Sequence, residues 1–161
     1  MRLMPPVYRF DYELTQLKLD EIPQDKVHKI FKDGRHTGVL VEHLYEYLFA
    51  NIERAESERS PYDFLLRHDG KALKYQSKVG HYRTSGSSID LSRSRMKGIG
   101  RRYDKDACVS DVLDLDGFVI TDINQMPKLK VWTIPVDRLV PYVGEKSFKV
   151  KFGILDSLTR Y

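Results

Sequence analysis

Residues 62–79, which read YDFLLRHDGKALKYQSKV, predict a two-stranded hairpin around which the rest of the fold is arranged. The dipeptide Asp69-Gly70 is a strong signal for a two-residue β-turn. On either side of it, residues 62–67 and 72–79 have the composition of short strands. The hairpin therefore predicts which residues of the two strands lie opposite each other.

Counting back from a two-residue turn places Asp63 opposite Gln76. Side chains alternate along a strand, so Gln76 and Lys78 share one face of the sheet and Ser77 points to the other face. The sequence thus predicts that Asp63, Gln76 and Lys78 converge on one patch. A bulge that shifts the register by one residue would break this arrangement.

Apolar periodicity and turn signals predict the remaining elements. The clearest helix covers residues 37–57, in which Val41, Tyr45 and Leu48 recur at helical spacing. Further elements are one or two short helices broken at Pro23, a helix at 89–102, a short helix at 104–113, and strands at 117–123, 129–136 and 147–155. This order predicts an α/β (α+β) fold in which helices flank a central mixed β-sheet.

The length of 161 residues predicts a single domain, residues 1–161. Within it, residues 37–135 are predicted to form the core. Residues 1–36 are a candidate N-terminal appendage, and residues 136–161 are predicted as a C-terminal strand and tail.

The composition excludes several classes of protein. Hydrophobic residues make up 41% and charged residues 31% of the chain, which is typical of a globular protein and not of a disordered or membrane-spanning one. Cys108 is the only cysteine, so an intrachain disulfide and a cysteine-cluster zinc site are excluded, and its apolar neighbours predict an inert thiol. The N-terminal residues lack the apolar stretch of a secretory signal, so we expect a cytoplasmic protein without a membrane partner.

Basic residues are concentrated directly after the hairpin. The net charge of +4 is too small to indicate a polyanionic partner by itself. The stretch 93–102, RSRMKGIGRR, however, contains five basic residues and no acid. The candidates for DNA contacts are His81, Tyr82, Arg83, Arg93, Arg95, Lys97, Arg101 and Arg102. Taken alone, the stretch is explained equally well by a solvated helix face.

The patch predicted at the hairpin has the groups needed to hydrolyse a phosphodiester. Magnesium prefers hard oxygen ligands and keeps several waters. The Asp63 carboxylate, the Gln76 side-chain oxygen and the Ser77 backbone carbonyl are oxygens of this kind. The charged amine of Lys78 cannot bind the metal, but it can orient or help to deprotonate a water, or offset charge on a phosphate.

The pattern Asp63…Gln76-Ser77-Lys78 resembles the PD-(D/E)xK nuclease superfamily, in the variant where glutamine replaces the second acid. The sequence departs from the family pattern in two ways. Pro61 lies two residues before the aspartate, and the glutamine removes one negative charge from the metal site.

The resemblance covers about residues 37–135 and implies a restriction-endonuclease-like fold with this range as the catalytic core. It also implies a catalytic glutamate on the helix before the hairpin. Glu42, at the edge of the apolar stripe of that helix, is the first candidate, and Glu46 is the second.

The function implied is sequence-specific cleavage of double-stranded DNA by a restriction or intron-encoded homing endonuclease. Magnesium, or manganese in its place, is expected to bind Glu42, Asp63, Gln76 and Ser77, with Lys78 assisting the attacking water. Because one domain has one active site, cutting both strands predicts a homodimer or homotetramer. Two alternatives stay open: a structure-specific nuclease acting on junctions, transposon ends or mismatched DNA in repair, and a non-catalytic DNA-binding module.

Overall fold

A central β-sheet of six strands organises the chain. The structure is a computed structural model that describes residues 3–13, 23, 25–26, 34–57, 59–80, 88–92, 103–125 and 128–159. Its elements, in chain order, are β1 (Tyr8–Glu13), α1 (Gly34–Leu48), β2 (Ile52–Arg54), β3 (Phe64–His68), β4 (Lys71–Gly80), β5 (Ser88–Asp90), α2 (Lys105–Leu113), β6 (Gly117–Gln125), β7 (Lys128–Pro135), α3 (Val136–Leu139), β8 (Lys149–Lys151) and α4 (Phe152–Leu158).

The strand order of the central sheet is β1-β7-β6-β4-β3-β2, and β5 and β8 form a second, two-stranded sheet. Strands β4 and β6 run parallel, whereas the other neighbours in the central sheet are antiparallel. A parallel pair requires a crossover connection, and α2 lies within the segment that joins β4 to β6. The predicted mixed sheet with flanking helices is therefore confirmed.

Both faces of the central sheet are covered by apolar side chains. On one face, Val41 and Tyr45 of α1 pack with Tyr75 of β4 and Val119 of β6. The opposite face of the same strands presents other residues, such as Phe118, to α2, α3, α4 and the small sheet. Strands buried on both faces are the expected consequence of helices on both sides.

Three predicted elements end or begin differently in the structure. The helix predicted at 37–57 ends at Leu48, and β2 follows at Ile52–Arg54. The turn between them is held by Asn51, whose side chain donates to the Met4 carbonyl and accepts from the Met4 amide, both at 2.8 Å. A contact over 47 residues along the chain leaves no local sequence signal.

The prediction of a helix at 89–102 is wrong at its start, because Ser88–Asp90 form strand β5, paired with Lys149–Lys151. Residues 93–102 lie outside the described part of the chain, as do the helices predicted around Pro23, apart from residues 25–26. The strand predicted at 147–155 is likewise confirmed only over Lys149–Lys151, since helix α4 begins at Phe152.

The N-terminal segment contributes to the central sheet. Residues Tyr8–Glu13, within the range considered as a candidate appendage, form its edge strand β1, paired with β7. Met4 is fully buried in the core beneath α1. The helix predicted at 104–113 is confirmed as Lys105–Leu113, with Asp104 as its N-cap.

Candidate functional site at the base of the β3–β4 hairpin

The predicted hairpin register is confirmed over the paired residues. His68 lies opposite Lys71, and the ladder runs back to Phe64 opposite Tyr75. Asp69 and Gly70 both have positive φ, 49° and 74°, as a tight two-residue turn of this kind requires. The turn therefore sets the register that brings Asp63 to the middle of β4.

Asp63 directly precedes β3, and its backbone is held on both sides. Its amide donates to the Tyr75 carbonyl at 3.0 Å, and its carbonyl accepts from the Ala55 amide at 2.9 Å. Its carboxylate oxygen Oδ2 accepts from the backbone amide of Ser77 at 2.8 Å. The carboxylate thus lies against the Ser77 amide, but the predicted pairing of Asp63 with Gln76 does not form, because the regular ladder ends at Phe64 and the Asp63 amide donates to the Tyr75 carbonyl.

The Ser77 peptide groups lie on the β3 edge of β4. The amide of Lys74 donates to Asp116 Oδ2 at 2.7 Å and its carbonyl accepts from the Asp116 amide at 2.8 Å, so the peptide groups of Lys74 face β6. Backbone groups alternate in direction along a strand, and Ser77 is three residues further on. Its carbonyl oxygen therefore lies on the same edge as its amide, which the Asp63 carboxylate contacts.

Gln76 and Lys78 share one face of the sheet. They are in register with Phe118 and Ile120 of β6, both of which belong to the core on the side opposite α1. The Lys78 amine Nζ donates to the backbone carbonyl of Ser92 at 3.0 Å. This contact fixes the amine on the predicted face of the hairpin.

Ser92 is positioned in turn by Asp90, the last residue of β5. Asp90 Oδ1 accepts from the Ser92 amide at 2.9 Å and from the Ser92 hydroxyl at 2.6 Å. Sequence reasoning did not select these two residues. The spacing Asp-x-Ser is typical of such a local turn, but its contact with Lys78 depends on the tertiary structure.

Helix α1 lies on the face opposite Gln76 and Lys78, and Glu42 contacts Arg54 of β2. Glu42 Oε2 accepts from Arg54 Nη2 at 3.3 Å, and the two side chains are only 20% and 28% exposed. Glu46 also contacts Arg54, since its Oε2 accepts from the Arg54 amide at 3.0 Å. Arg54 is in register with Phe64, which places both glutamates near the β2 side of the hairpin base.

All eight residues predicted to contact DNA lie outside the described residues: His81, Tyr82, Arg83, Arg93, Arg95, Lys97, Arg101 and Arg102. The described residue Ser92 shows where the stretch 93–102 begins. The stretch 93–102 follows Ser92, whose carbonyl contacts Lys78. The basic segment therefore starts at the candidate site.

Within the ranges that the structure describes, no three His, Cys, Asp or Glu side chains gather as a metal-binding group. The oxygens predicted as magnesium ligands include a side-chain amide and a peptide carbonyl, which are not among these four residue types. Cys108 is buried, and this burial raises the pKa of its thiol, as expected for an unreactive cysteine.

Comparisons with known protein families, with curated proteins and with solved structures find no match for this chain. Nor does any helix among the described residues have the length and apolar character needed to cross a membrane. The class of protein that the fold defines is thus a mixed α/β domain.

Proposed function

We propose that this chain is a magnesium-dependent DNA endonuclease whose active site is the base of the β3–β4 hairpin. The observation that carries the proposal is the hydrogen bond of 2.8 Å between Asp63 Oδ2 and the Ser77 amide. This hydrogen bond holds the acid beside the Gln76-Ser77-Lys78 segment. In the PD-(D/E)xK nucleases that the sequence resembles, the corresponding acid and segment act together. The mixed sheet between helices is also the architecture that this resemblance implies.

The donors at this site fit magnesium. Asp63 offers a carboxylate that contacts the Ser77 amide. The Ser77 peptide carbonyl, on the same strand edge, and the neutral side-chain oxygen of Gln76 would be further donors. Hard oxygen donors of low total charge suit a metal that retains several waters. A bound magnesium ion would supply a water of lowered pKa and charge compensation at the scissile phosphate.

Lys78 has a separate task in the proposed reaction. Its amine is oriented by the Ser92 carbonyl, so it is held in place before a substrate binds. A fixed ammonium group stabilises charge that develops on a phosphate without a reorganisation cost. Lys78 therefore orients the attacking water or stabilises the phosphate, and Asp90 supports it through Ser92.

The basic stretch 93–102 is expected to bind the DNA backbone beside this site. It follows Ser92 directly, and five of its ten residues are basic. Contacts of Arg and Lys with phosphates supply affinity and position a duplex. We infer that the substrate is double-stranded DNA cut at a specific sequence, as in restriction or homing endonucleases.

The decisive experiment compares cleavage of plasmid DNA in magnesium buffer by Asp63→Asn, Lys78→Ala and the control Lys74→Ala. Asp63→Asn keeps an oxygen that can accept from the Ser77 amide, whereas it removes the charge that the metal needs. We expect a loss of at least about 10²-fold for both site variants, with DNA affinity largely retained.

Lys74 is the matched control because it lies on the same strand and its side chain is exposed. Lys74→Ala is expected to cleave like the wild type. Unchanged cleavage by Asp63→Asn and Lys78→Ala would reject the assignment. Assaying plain, branched and mismatched duplexes in parallel separates a sequence-specific enzyme from a structure-specific one.

Whether Glu42 takes part is a separate prediction. Glu42→Gln is compared with Glu46→Gln, because both glutamates contact Arg54. If Glu42 is a metal ligand, Glu42→Gln cleaves more slowly than wild type by about 10²-fold and Glu46→Gln does not. Equal cleavage by the two variants would assign Glu42 a structural role, as the partner of Arg54.

A further inference from the structure

Strand β1 is the terminal strand of the central sheet on the β7 side. Residues Tyr8–Glu13 pair with β7 on one side, and no strand among the described residues pairs with them on the other. An edge of this kind presents a row of backbone donors and acceptors that can pair with another chain. Tyr8, at the start of the strand, is 50% exposed.

The sequence of β1 is nearly symmetric about Phe10, since it reads Tyr8-Arg9-Phe10-Asp11-Tyr12. Arg9 and Asp11 lie on the same face of the strand, and their side chains meet at 3.4 Å with exposures of 40% and 62%. Phe10 points to the other face, where its ring packs edge-on against Phe49 with centroids 5.3 Å apart. Opposite charges thus flank an apolar centre.

This symmetry favours one antiparallel pairing of β1 with a second β1, the one that sets both charges opposite a charge of the other sign. In a two-fold symmetric pair of antiparallel strands, residues directly opposite each other point to the same face, so one residue must lie opposite its own copy. Centring on Arg9 or on Asp11 places like charges opposite each other, which is destabilising. Centring on Phe10 places each Arg9 opposite an Asp11.

We propose that two copies of this chain associate through β1, antiparallel and centred on Phe10, to form one continuous sheet. Two Arg9–Asp11 pairs lie across the interface on one face, and the two Phe10 rings meet on the other face. The partner is therefore a second copy of this chain, and charge complementarity identifies it.

The surface beside β1 has room for these charged side chains. A cavity of about 460 Å³ is lined by Arg9 and Asp11 together with residues of β6 and β7, among them Asp122, Lys128 and Lys130. Charges of both signs meet here, so an incoming arginine and aspartate both find a partner. In the single chain, Arg9 also contacts Asp156 at 3.2 Å, which keeps its guanidinium on this face.

Sedimentation analysis over a range of concentrations tests the proposal with the charge variants Arg9→Asp and Asp11→Arg. Each variant places like charges opposite each other twice in the interface. We expect the wild type to dimerise and each variant to dissociate at least about tenfold more readily. The double variant Arg9→Asp with Asp11→Arg restores opposite charges across the interface and is expected to regain most of the dimer.

Cysteine cross-linking tests the register itself. An equal mixture of Arg9→Cys and Asp11→Cys chains is expected to form a disulfide-linked heterodimer under mild oxidation, because directly opposed residues are within disulfide distance. Each variant alone places its cysteines diagonally and is expected to cross-link far less. The native Cys108 is buried and serves as the internal control.

A monomeric wild type at all soluble concentrations would overturn the proposal, and so would a dimer that the charge variants leave intact. These measurements need neither DNA nor metal. Failure of the dimer proposal therefore leaves the nuclease proposal standing, and the loss of cleavage activity does not affect the dimer test.

Discussion

On strand β4, Tyr75 and Val79 point to the face covered by helix α1, whereas Gln76 and Lys78 point to the opposite face. The ring of Tyr75 is 1% exposed, and its hydroxyl donates to the Pro6 carbonyl at 2.9 Å. Lys78, three residues after Tyr75 on the same strand, keeps a charged amine partly buried against the Ser92 carbonyl.

The two faces of β4 therefore differ in role: one packs against α1, and the other carries the residues of the candidate site. Apolar burial on the α1 face stabilises the fold in proportion to the area removed from water. Burying part of a charged lysine costs free energy that the hydrogen bond to the Ser92 carbonyl offsets, and Lys78 adds little apolar burial to the fold. Substitutions on the α1 face should therefore change stability, and under the proposed function those at Gln76 and Lys78 should change cleavage.

The largest expected effect on stability comes from Gly117→Ala on the α1 face. A Cβ at Gly117 would lie 2.4 Å from the Tyr75 ring and 2.7 Å from the Ile134 carbonyl oxygen, and the backbone atom cannot move away. We expect a loss of about 3 kcal/mol in the free energy of unfolding, measured by urea denaturation.

Gly80→Ala is the matched control on the opposite face. Its Cβ would meet only the Phe152 ring, at 2.4 Å, and a side chain can shift where a backbone cannot. We expect a loss of about 1 kcal/mol. If Gly117→Ala and Gly80→Ala lost the same free energy of unfolding, the expected difference between a backbone clash and a side-chain clash would be wrong.

A smaller effect is expected for Tyr45→Phe, which removes a hydroxyl from the same α1 face. Tyr45 and Thr121 are both fully buried, and their hydroxyls hydrogen-bond to each other. Removing one partner leaves the other unsatisfied, so we expect a loss of about 1.5 kcal/mol at neutral pH.

The cost of Tyr45→Phe should depend on pH. Burial raises the pKa of Tyr45 above its usual value, although the bond to Thr121 lowers it in part. A raised pKa in the folded state stabilises the fold fully below the pKa of the unfolded chain, about 10, and this contribution is lost as the pH rises further. The difference between wild type and Tyr45→Phe should therefore shrink by about 1.4 kcal/mol per pH unit above 10. A constant difference up to pH 11 would contradict this account.

The smallest expected effect on stability is at Asp69, in the turn between β3 and β4, which lies on neither face of the sheet. Asp69 has a φ of 49°, in the left-handed region that Asp and Asn tolerate better than Ala. Asp69→Ala is expected to lose about 1 kcal/mol, and Asp69→Asn, which removes the same charge, should lose less. Thermal denaturation of the two variants shows whether the backbone conformation or the charge of Asp69 determines its contribution to stability.

Much of the candidate site could be predicted from sequence because its geometry is local. Asp69-Gly70 specifies the turn, and alternation along β4 then specifies which side chains share a face. The sequence did not predict the backbone contacts of Asp63. Its carbonyl accepts from the amide of Ala55, which lies in the segment after β2. The short β2 has only three residues and no distinctive pattern.

The contacts of Glu42 and Lys78 could not be predicted in the same way. Glu42 pairs with Arg54 because α1 packs on the face away from Lys78, and a helical stripe does not reveal which sheet face it covers. The Ser92 carbonyl contacts Lys78, and Ser92 follows β5, which is held by its pairing with β8 near residue 150. Such contacts depend on long-range pairing, which short-range propensity does not encode.

By itself, the sequence determined the hairpin, its register, the helix at 105–113 and the common face of Gln76 and Lys78. Turn chemistry and side-chain alternation act between near neighbours, so they can be read along the chain. Only the tertiary structure decided that Tyr8–Glu13 joins the sheet beside β7, that residues after Lys151 turn into a helix, and that α1 covers the other face. These outcomes depend on which distant apolar surfaces meet, and that choice is made by burial in the folded chain.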